Sequence, residues 1–228
     1  MSFVISPLVG RDGRVVHHVR GLPVVVFPYL ESARAASTDS TDDGLASQLI
    51  TLLEAVHRAG VSARVPVEDF TMPFDGALVA GLHRATGTED PQGPYSEKLA
   101  KLVIRNWDYI SQLRAAAAGM AEACAADRGE LVLTHGDPSP ANVVPEKPVP
   151  SILDWGGLKW APAERDWAAM RRNFGRSPRC APHRLRFYEL RWALSEVTEY
   201  VTRFTRSHHG DPDDQAMWQR LGNYLPER

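Results

Sequence analysis

The stretch "LTHGDPSPANVV", Leu133–Val144, carries most of what this sequence says about fold and chemistry. An apolar run ends there in His135 and, two residues later, Asp137, and Asn142 follows five residues after Asp137. Twelve residues beyond Asn142, the stretch "SILDWGG" places Asp154 at the end of a second apolar run. Because Asp and Pro are common in turns, the first stretch taken alone also fits a proline-stiffened turn.

These three polar residues match what phosphoryl transfer requires. One carboxylate must orient the attacking hydroxyl and accept its proton. An amide oxygen and a second carboxylate must hold Mg²⁺, which prefers oxygen ligands. In protein kinases an Asp is followed five residues later by an Asn, and further on by Asp-Phe-Gly. Asp137 and Asn142 have that spacing, and Asp154-Trp155-Gly156 stands where Asp-Phe-Gly would.

The combined pattern "HGDPSPAN…ILDWGGLKWAPAERDWA" resembles the aminoglycoside phosphotransferase family, relatives of choline kinase within the protein-kinase-like fold. The resemblance implies ATP and Mg²⁺ as cofactors, with Asp137 as the catalytic base and Asn142 and Asp154 as magnesium ligands. It also implies that His135 shapes the catalytic loop and that Asp166, in "ERDWA", braces this loop from the next helix.

Two further stretches extend the resemblance toward the N-terminus. "VVVFPYLES" (24–32) resembles the strand and hinge that join the two lobes, which implies that adenine meets Phe27, Pro28, Tyr29 and Leu30. "LLEAVHRAG" (52–60) resembles the helix that follows the hinge, including an apolar-His pair at Val56-His57.

The order of predicted elements is β first and then mostly α. Residues 3–30 predict three short strands in an antiparallel meander, with turns at Asp12-Gly13 and Arg20-Gly21. A strand at 131–135 and paired strands in "ANVV" and "PSIL" follow later. Helical periodicity and stop signals predict helices from the Thr41–Asp43 region to Gly60, and at about 75–86, 96–127, 163–174, 182–206 and 212–224.

We therefore predict an α+β, protein-kinase-like fold with a truncated β lobe. Residues 1–32 would be the remnant of the N-terminal β lobe with the hinge, and residues 33–228 the helical C-terminal lobe, with the catalytic loop and metal-binding hairpin at 131–157. A complete family member would begin with a nucleotide loop and a strand lysine, whereas the first lysine here is Lys98. Either the true start lies upstream or the gene is truncated; the intact site residues favour an upstream start.

Composition excludes several other classes of function. The 228 residues are 43% hydrophobic and 24% charged, and the formal net charge of -2 points to neither nucleic acid nor a membrane surface. No apolar run reaches the roughly 18 residues of a membrane span. Cys124 and Cys180 form no disulfide pattern, so we expect a cytoplasmic protein. In "RSHHGDPDD" (206–214) we expect a solvated loop and helix-capping aspartates.

The predicted reaction is transfer of a phosphoryl group from ATP to a hydroxyl of a small molecule. Four acidic residues are candidates to bind that molecule, or else form a solvated face: Asp108, Glu189, Glu196 and Glu199. One alternative is a catalytically impaired kinase remnant that acts as a ligand- or protein-binding module. Another is a metal-dependent hydrolase that uses His135, Asp137 and Asp154.

Overall fold

A computed structural model describes residues 3–29, 43–61, 64–87, 90–144 and 149–226. The strands and helices within these residues, in chain order, are β1 (His17–Val19), β2 (Leu22–Val24), α1 (Asp43–His57), α2 (Asp75–Thr86), α3 (Ser96–Ala126), β3 (Val132–Thr134), β4 (Val143–Val144), β5 (Ser151–Ile152), β6 (Lys159–Ala161), α4 (Glu164–Phe174), α5 (Pro182–Phe204) and α6 (Pro212–Gly222).

The chain divides into two compact units, each built from two separate segments. The first unit joins Met1–Glu68 to Gly129–Cys180, and the second joins Asp69–Arg128 to Ala181–Arg228. This division by contacts differs from the predicted lobes, 1–32 and 33–228, which stay a prediction. The first unit contains every strand of the described residues, and the second is helical.

The N-terminal β structure is less regular than predicted. β1 and β2 pair as an antiparallel hairpin through the predicted turn at Arg20-Gly21, where both residues have positive φ, 52° and 81°. Residues 3–9 add no regular strand to this hairpin, although the N–H of Leu8 donates to the carbonyl oxygen of Val26 at 2.8 Å. Instead, Val4 forms a parallel bridge to Ile152 of β5. Proline explains part of the difference, because Pro7 interrupts residues 3–9 and supplies no N–H for a strand ladder.

Two further antiparallel pairs position the stretches around the predicted site. β3 pairs with β6, with Leu133 opposite Trp160. β4 pairs with β5, with Val143 opposite Ile152, which confirms the hairpin predicted from "ANVV" and "PSIL". α1 packs against β3 and against α4. The buried faces of α1 and α4 therefore lie next to the strand that leads into the catalytic loop.

The second unit is a bundle of α2, α3, α5 and α6 around an apolar core. Gly81 of α2 allows close packing on α5, because a Cβ at this position would lie 2.9 Å from Cγ1 of Val201. Deeply buried members of the core come from all four helices, as expected for amphipathic helices that bury one face, and include Leu78, Leu99, Val103, Ile110, Leu194, Val201, Phe204 and Leu221.

The segment before α6 is partly different from the prediction. Asp211 caps α6 by accepting the N–H of Asp214 at 2.9 Å, as expected. His208, however, is buried rather than solvated, and its Nε2 accepts the backbone N–H of Tyr95 at 3.0 Å. Burial alone would raise the pKa of Asp214, but N–H groups of Gly210 and His209 and the Arg203 guanidinium outweigh it and hold this pKa below its ordinary value.

The helix boundaries follow the predicted ones within a few residues, since periodic apolar faces and terminal Pro, Asp and Gly residues mark them in the sequence. Over the described ranges, no helix combines the length and the apolar character needed to cross a bilayer.

Candidate active site

The predicted catalytic loop begins at His135, directly after β3, and is organised by the ring of this residue. His135 is 1% exposed, and its Nδ1 accepts the backbone N–H of Asp137 at 3.2 Å. Nε2 therefore carries the ring proton and donates it to the carbonyl oxygen of Leu153 at 2.7 Å. The imidazole thus ties the loop to the residue before Asp154. Both ring nitrogens are used in this way, which fits loop shaping and leaves neither of them to bind a metal.

Within its own loop, the Asp137 carboxylate is bonded through one of its two oxygens. The Nδ2 of Asn142 donates to Oδ2 of Asp137 at 3.0 Å and to its backbone carbonyl at 2.9 Å. Ser139 Oγ adds a longer bond to Oδ2 at 3.3 Å. A short 3₁₀ turn over Pro140–Asn142, started by proline, brings Asn142 back toward Asp137. Oδ1 of Asp137 accepts none of these bonds and lies 3.5 Å from Nη2 of Arg172 on α4.

Asp154 lies at the same end of the β4–β5 hairpin as Asn142. The N–H of Leu153 donates to the carbonyl oxygen of Asn142 at 2.8 Å, so Asp154 follows immediately after the residue paired with Asn142. Asp154 has left-handed backbone angles, φ 56° and ψ 64°, which Asp tolerates better than most residues. Its side chain is exposed, and its carboxylate has no hydrogen-bond or ion-pair partner within the described ranges.

These two residues offer oxygen ligands of the kind that Mg²⁺ prefers. Because Nδ2 of Asn142 is committed to Asp137, the amide oxygen of Asn142 is the atom left for a cation, and Asp154 supplies a carboxylate. The described residues include no group of three or more His, Cys, Asp or Glu that could hold a metal ion. The hydrolase hypothesis built on His135, Asp137 and Asp154 needs His135 as a ligand, and both of its ring nitrogens are engaged in hydrogen bonds.

Asp166 braces the catalytic loop from the first turn of α4. Its carboxylate is fully buried and accepts three hydrogen bonds: from the N–H of His135 at 3.1 Å, the N–H of Gly136 at 2.6 Å and Nε2 of His57 at 2.9 Å. His57, the last residue of α1, also packs edge-on against the Trp167 ring. The buried negative charge is therefore surrounded by donors, as burial of a carboxylate requires.

Arg165 is a supporting residue that sequence reasoning missed. Its Nη1 donates to Oγ1 of Thr134 at 2.9 Å, and its Nη2 donates to the carbonyl oxygen of Gly157 at 2.7 Å. One guanidinium therefore joins the end of β3 to the turn that follows Asp154. Gly136 makes room for it, because a Cβ at this position would overlap the guanidinium. The available signal was the position of Arg165 directly before Asp166 in "ERDWA".

The predicted adenine-binding residues and Asp154 line one cavity of about 920 Å³. The walls are formed by residues 4–7, 27–29 and 152–156, and most of them are apolar. Tyr29 is 88% exposed and Phe27 54% exposed, so their ring faces are open to a planar partner. The cavity volume lies within the range of small-molecule sites. Leu30, the fourth predicted adenine-binding residue, lies outside the described residues.

The four acidic residues suggested for acceptor binding are on helices of the second unit. Asp108 is on α3 and is exposed, and the other three are on α5. Glu196 accepts a hydrogen bond from the Tyr200 hydroxyl at 2.6 Å. Burial first, and then the Glu196 carboxylate, raise the pKa of Tyr200, so this hydroxyl stays protonated as the donor. Glu189 lies 3.4 Å from Arg186, and Glu199 is exposed.

The fold is the protein-kinase-like α+β fold, and the class of protein is a phosphotransferase. The chain belongs to the phosphotransferase enzyme family APH, whose model matches residues 7–200. This membership confirms the family predicted from the HGD, Asn and DWG pattern.

Three known proteins give the scale of the similarity. "Protein StrN" of Streptomyces griseus is 50% identical over 233 residues, covering 99% of this chain and 72% of StrN. The crystal structure of spectinomycin phosphotransferase APH(9)-Ia, in complex with ADP and spectinomycin, has a TM-score of 0.79 at 12% identity, covering 98% of this chain and 74% of that one. An aminoglycoside phosphotransferase from Alicyclobacillus acidocaldarius has a TM-score of 0.62 at 15% identity, covering 97% and 73%. At these identities the two structures establish the fold.

Proposed function

We propose that this protein transfers the γ-phosphoryl group of ATP to a hydroxyl group of a small molecule, with Asp137 as the base. The observation that carries the proposal is the arrangement of the Asp137 carboxylate. Oδ2 is fixed by Asn142, whereas Oδ1 accepts no bond from the loop, and Asp154 stands at the same end of the hairpin as Asn142. A fixed carboxylate next to two oxygen ligands is what in-line phosphoryl transfer needs.

The residues of this chain would act mainly by position and charge. The acceptor hydroxyl would donate to Oδ1 of Asp137, which aligns its oxygen and then takes its proton as the new P–O bond forms. Asn142 keeps the carboxylate from rotating, and Asp166 and His135 keep the loop in place. Asn142 and Asp154 would hold Mg²⁺, which supplies positive charge to the phosphates when bound.

The nucleotide would enter the cavity lined by Phe27, Pro28 and Tyr29. Its apolar walls and open aromatic faces suit a purine ring, and Asp154 lies on the wall where phosphates and cation would lie. The fold shared with a spectinomycin phosphotransferase crystallised with ADP supports nucleotide binding here. It also makes spectinomycin a reasonable first acceptor to try. Acceptor binding by Asp108, Glu189, Glu196 and Glu199, and the lobes 1–32 and 33–228, are parts of the same proposal.

Calorimetry of ATP binding, with and without Mg²⁺, tests the proposal on three proteins. The wild type should bind ATP more tightly with Mg²⁺. Asp154→Ala should lose that magnesium-dependent gain, since it removes the exposed carboxylate. Asp137→Asn should keep the magnesium-dependent gain in ATP affinity, because Asp137 contacts the acceptor and not the metal. The same substitution should lower phosphoryl transfer to spectinomycin or water by about 10³-fold.

The outcomes separate the proposal from its alternative. If the folded wild-type chain binds no nucleotide, the kinase proposal fails. If the wild type and Asp137→Asn bind nucleotide equally well and neither transfers phosphate, the result would instead favour the catalytically impaired binding module.

A further inference from the structure

One cation lies beside Oδ1, the oxygen of Asp137 that accepts no bond from the loop. Arg172 is on α4, six residues after Asp166, and its Nη2 lies 3.5 Å from Oδ1 of Asp137. Oδ2, in contrast, is occupied by Asn142 and Ser139. The guanidinium therefore approaches the same oxygen that would receive the acceptor proton.

Two other cations near the loop contact groups other than Asp137. Arg165 bridges Thr134 and Gly157, as described above. Lys159 lies 3.8 Å from the buried carboxylate of Glu68. Over the described residues, Arg172 is the cation that contacts Asp137. At 3.5 Å, between two partly exposed side chains, this contact is at the long end of the hydrogen-bond range.

The distances place this guanidinium within reach of the group being transferred. An acceptor hydroxyl bonded to Oδ1 lies about 2.7 Å from it, and the phosphorus in a reactive complex lies about 3 to 3.5 Å beyond the hydroxyl oxygen. Phosphoryl oxygens around that phosphorus then fall within the range of a side chain whose Nη2 is already 3.5 Å from Oδ1.

We propose that Arg172 is a catalytic residue that contacts the transferred phosphoryl group in the transition state. The inference rests on the proposed function. In the reaction the acceptor oxygen forms a bond to the γ-phosphorus, the bond from this phosphorus to the β–γ bridging oxygen breaks, and ADP leaves with that electron pair. The acceptor proton goes to Oδ1 of Asp137. Negative charge spreads over the phosphoryl oxygens, and a guanidinium supplied by the same chain stabilises it.

Aluminium fluoride with ADP tests the inference without a known acceptor, because it mimics the phosphoryl group in transfer. Calorimetry would measure Mg²⁺·ADP binding with and without aluminium fluoride. The proteins are the wild type, Arg172→Gln, Arg172→Lys and Arg171→Gln, a control at the neighbouring exposed arginine on α4. Arg172→Gln should bind Mg²⁺·ADP within about twofold of wild type and lose about 10²-fold of the gain from aluminium fluoride. Arg172→Lys should keep part of the affinity gain from aluminium fluoride, because lysine still supplies a point charge. Arg171→Gln should keep the whole gain.

Each outcome decides between the two proposals. Absence of Mg²⁺·ADP binding by the folded wild type refutes the proposed function and this inference with it. Mg²⁺·ADP binding with no gain from aluminium fluoride, or with the same gain in Arg172→Gln, refutes only the role of Arg172. A parallel loss of ADP affinity in Arg172→Gln would also refute it, since it indicates general damage to the site. If Arg172→Gln does not fold, Arg172→Lys against Arg171→Gln decides the question.

Discussion

Replacing Asp166 by Asn tests the view that this buried carboxylate holds the catalytic loop. The substitution keeps the size and shape of the side chain but leaves one oxygen where there were two. With that oxygen at the Oδ2 position, His57 and the N–H of His135 keep an acceptor, and the N–H of Gly136 faces an NH₂ group. One unsatisfied buried donor costs about 2 kcal/mol. Loss of the negative charge weakens the remaining two bonds by about 0.5 kcal/mol each, which gives about 3 kcal/mol in total.

Hydrogen exchange by mass spectrometry on the peptide that spans residues 131–144 measures this loss where it occurs. A cost of about 3 kcal/mol corresponds to about 10²-fold less protection of the His135 and Gly136 amides. The matched control is Asp213→Asn at an exposed position in the first turn of α6, which should change stability by less than about 0.5 kcal/mol. Wild-type protection of these amides in Asp166→Asn would refute the bracing role.

Three further predictions concern other parts of the two units. Gly136→Ala should lower the thermal midpoint by several degrees, because φ is +97° there and the new Cβ would overlap the Arg165 guanidinium; a midpoint equal to wild type would contradict this. Arg165→Lys should lower turnover about tenfold with intact helical circular dichroism, since a point charge cannot bridge both loops as a guanidinium does; unchanged turnover would count against that bridge. Because the pKa of Asp214 is lowered in the folded protein, its contribution to stability is complete above the ordinary value near 4 and is lost as the pH falls through the lowered pKa. Asp214→Asn should thus be less stable at neutral pH and lose less on acidification in urea unfolding curves measured from pH 7 to 3, whereas parallel curves would show that Asp214 contributes nothing to the acid response.

The helices were predictable because their signals are local. α2 and α6 begin at the predicted residues, since a polar or proline start and a periodic apolar face lie within a few positions of each other. The β4–β5 hairpin was predictable for a similar reason, as two short apolar runs flank a proline-rich connector. Residues 3–9 were not predictable, because the partner of Val4 is Ile152, far away in the chain.

In the candidate site, too, the residues with a local sequence signal were predictable and those that depend on tertiary packing were not. Asp137, Asn142 and Asp154 are recognisable from spacing, because chemistry requires those residue types within one loop and one hairpin. Arg165 and Arg172 are not recognisable in this way. A long cationic side chain on a helix usually faces solvent, and only the packing of α4 beside the loop brings these two guanidinium groups to Thr134, Gly157 and Asp137.

The division of the first unit into two chain segments has a consequence during protein synthesis. The bond between His57 and Asp166 joins residues 109 positions apart, and the 60 residues of 69–128 are translated between the two segments. At about 5–20 residues per second, α1 leaves the ribosome several seconds before its partners in α4 exist. During that interval α4 is not yet present to cover the apolar face of α1. We therefore expect the site formed by the two segments to be completed late in synthesis.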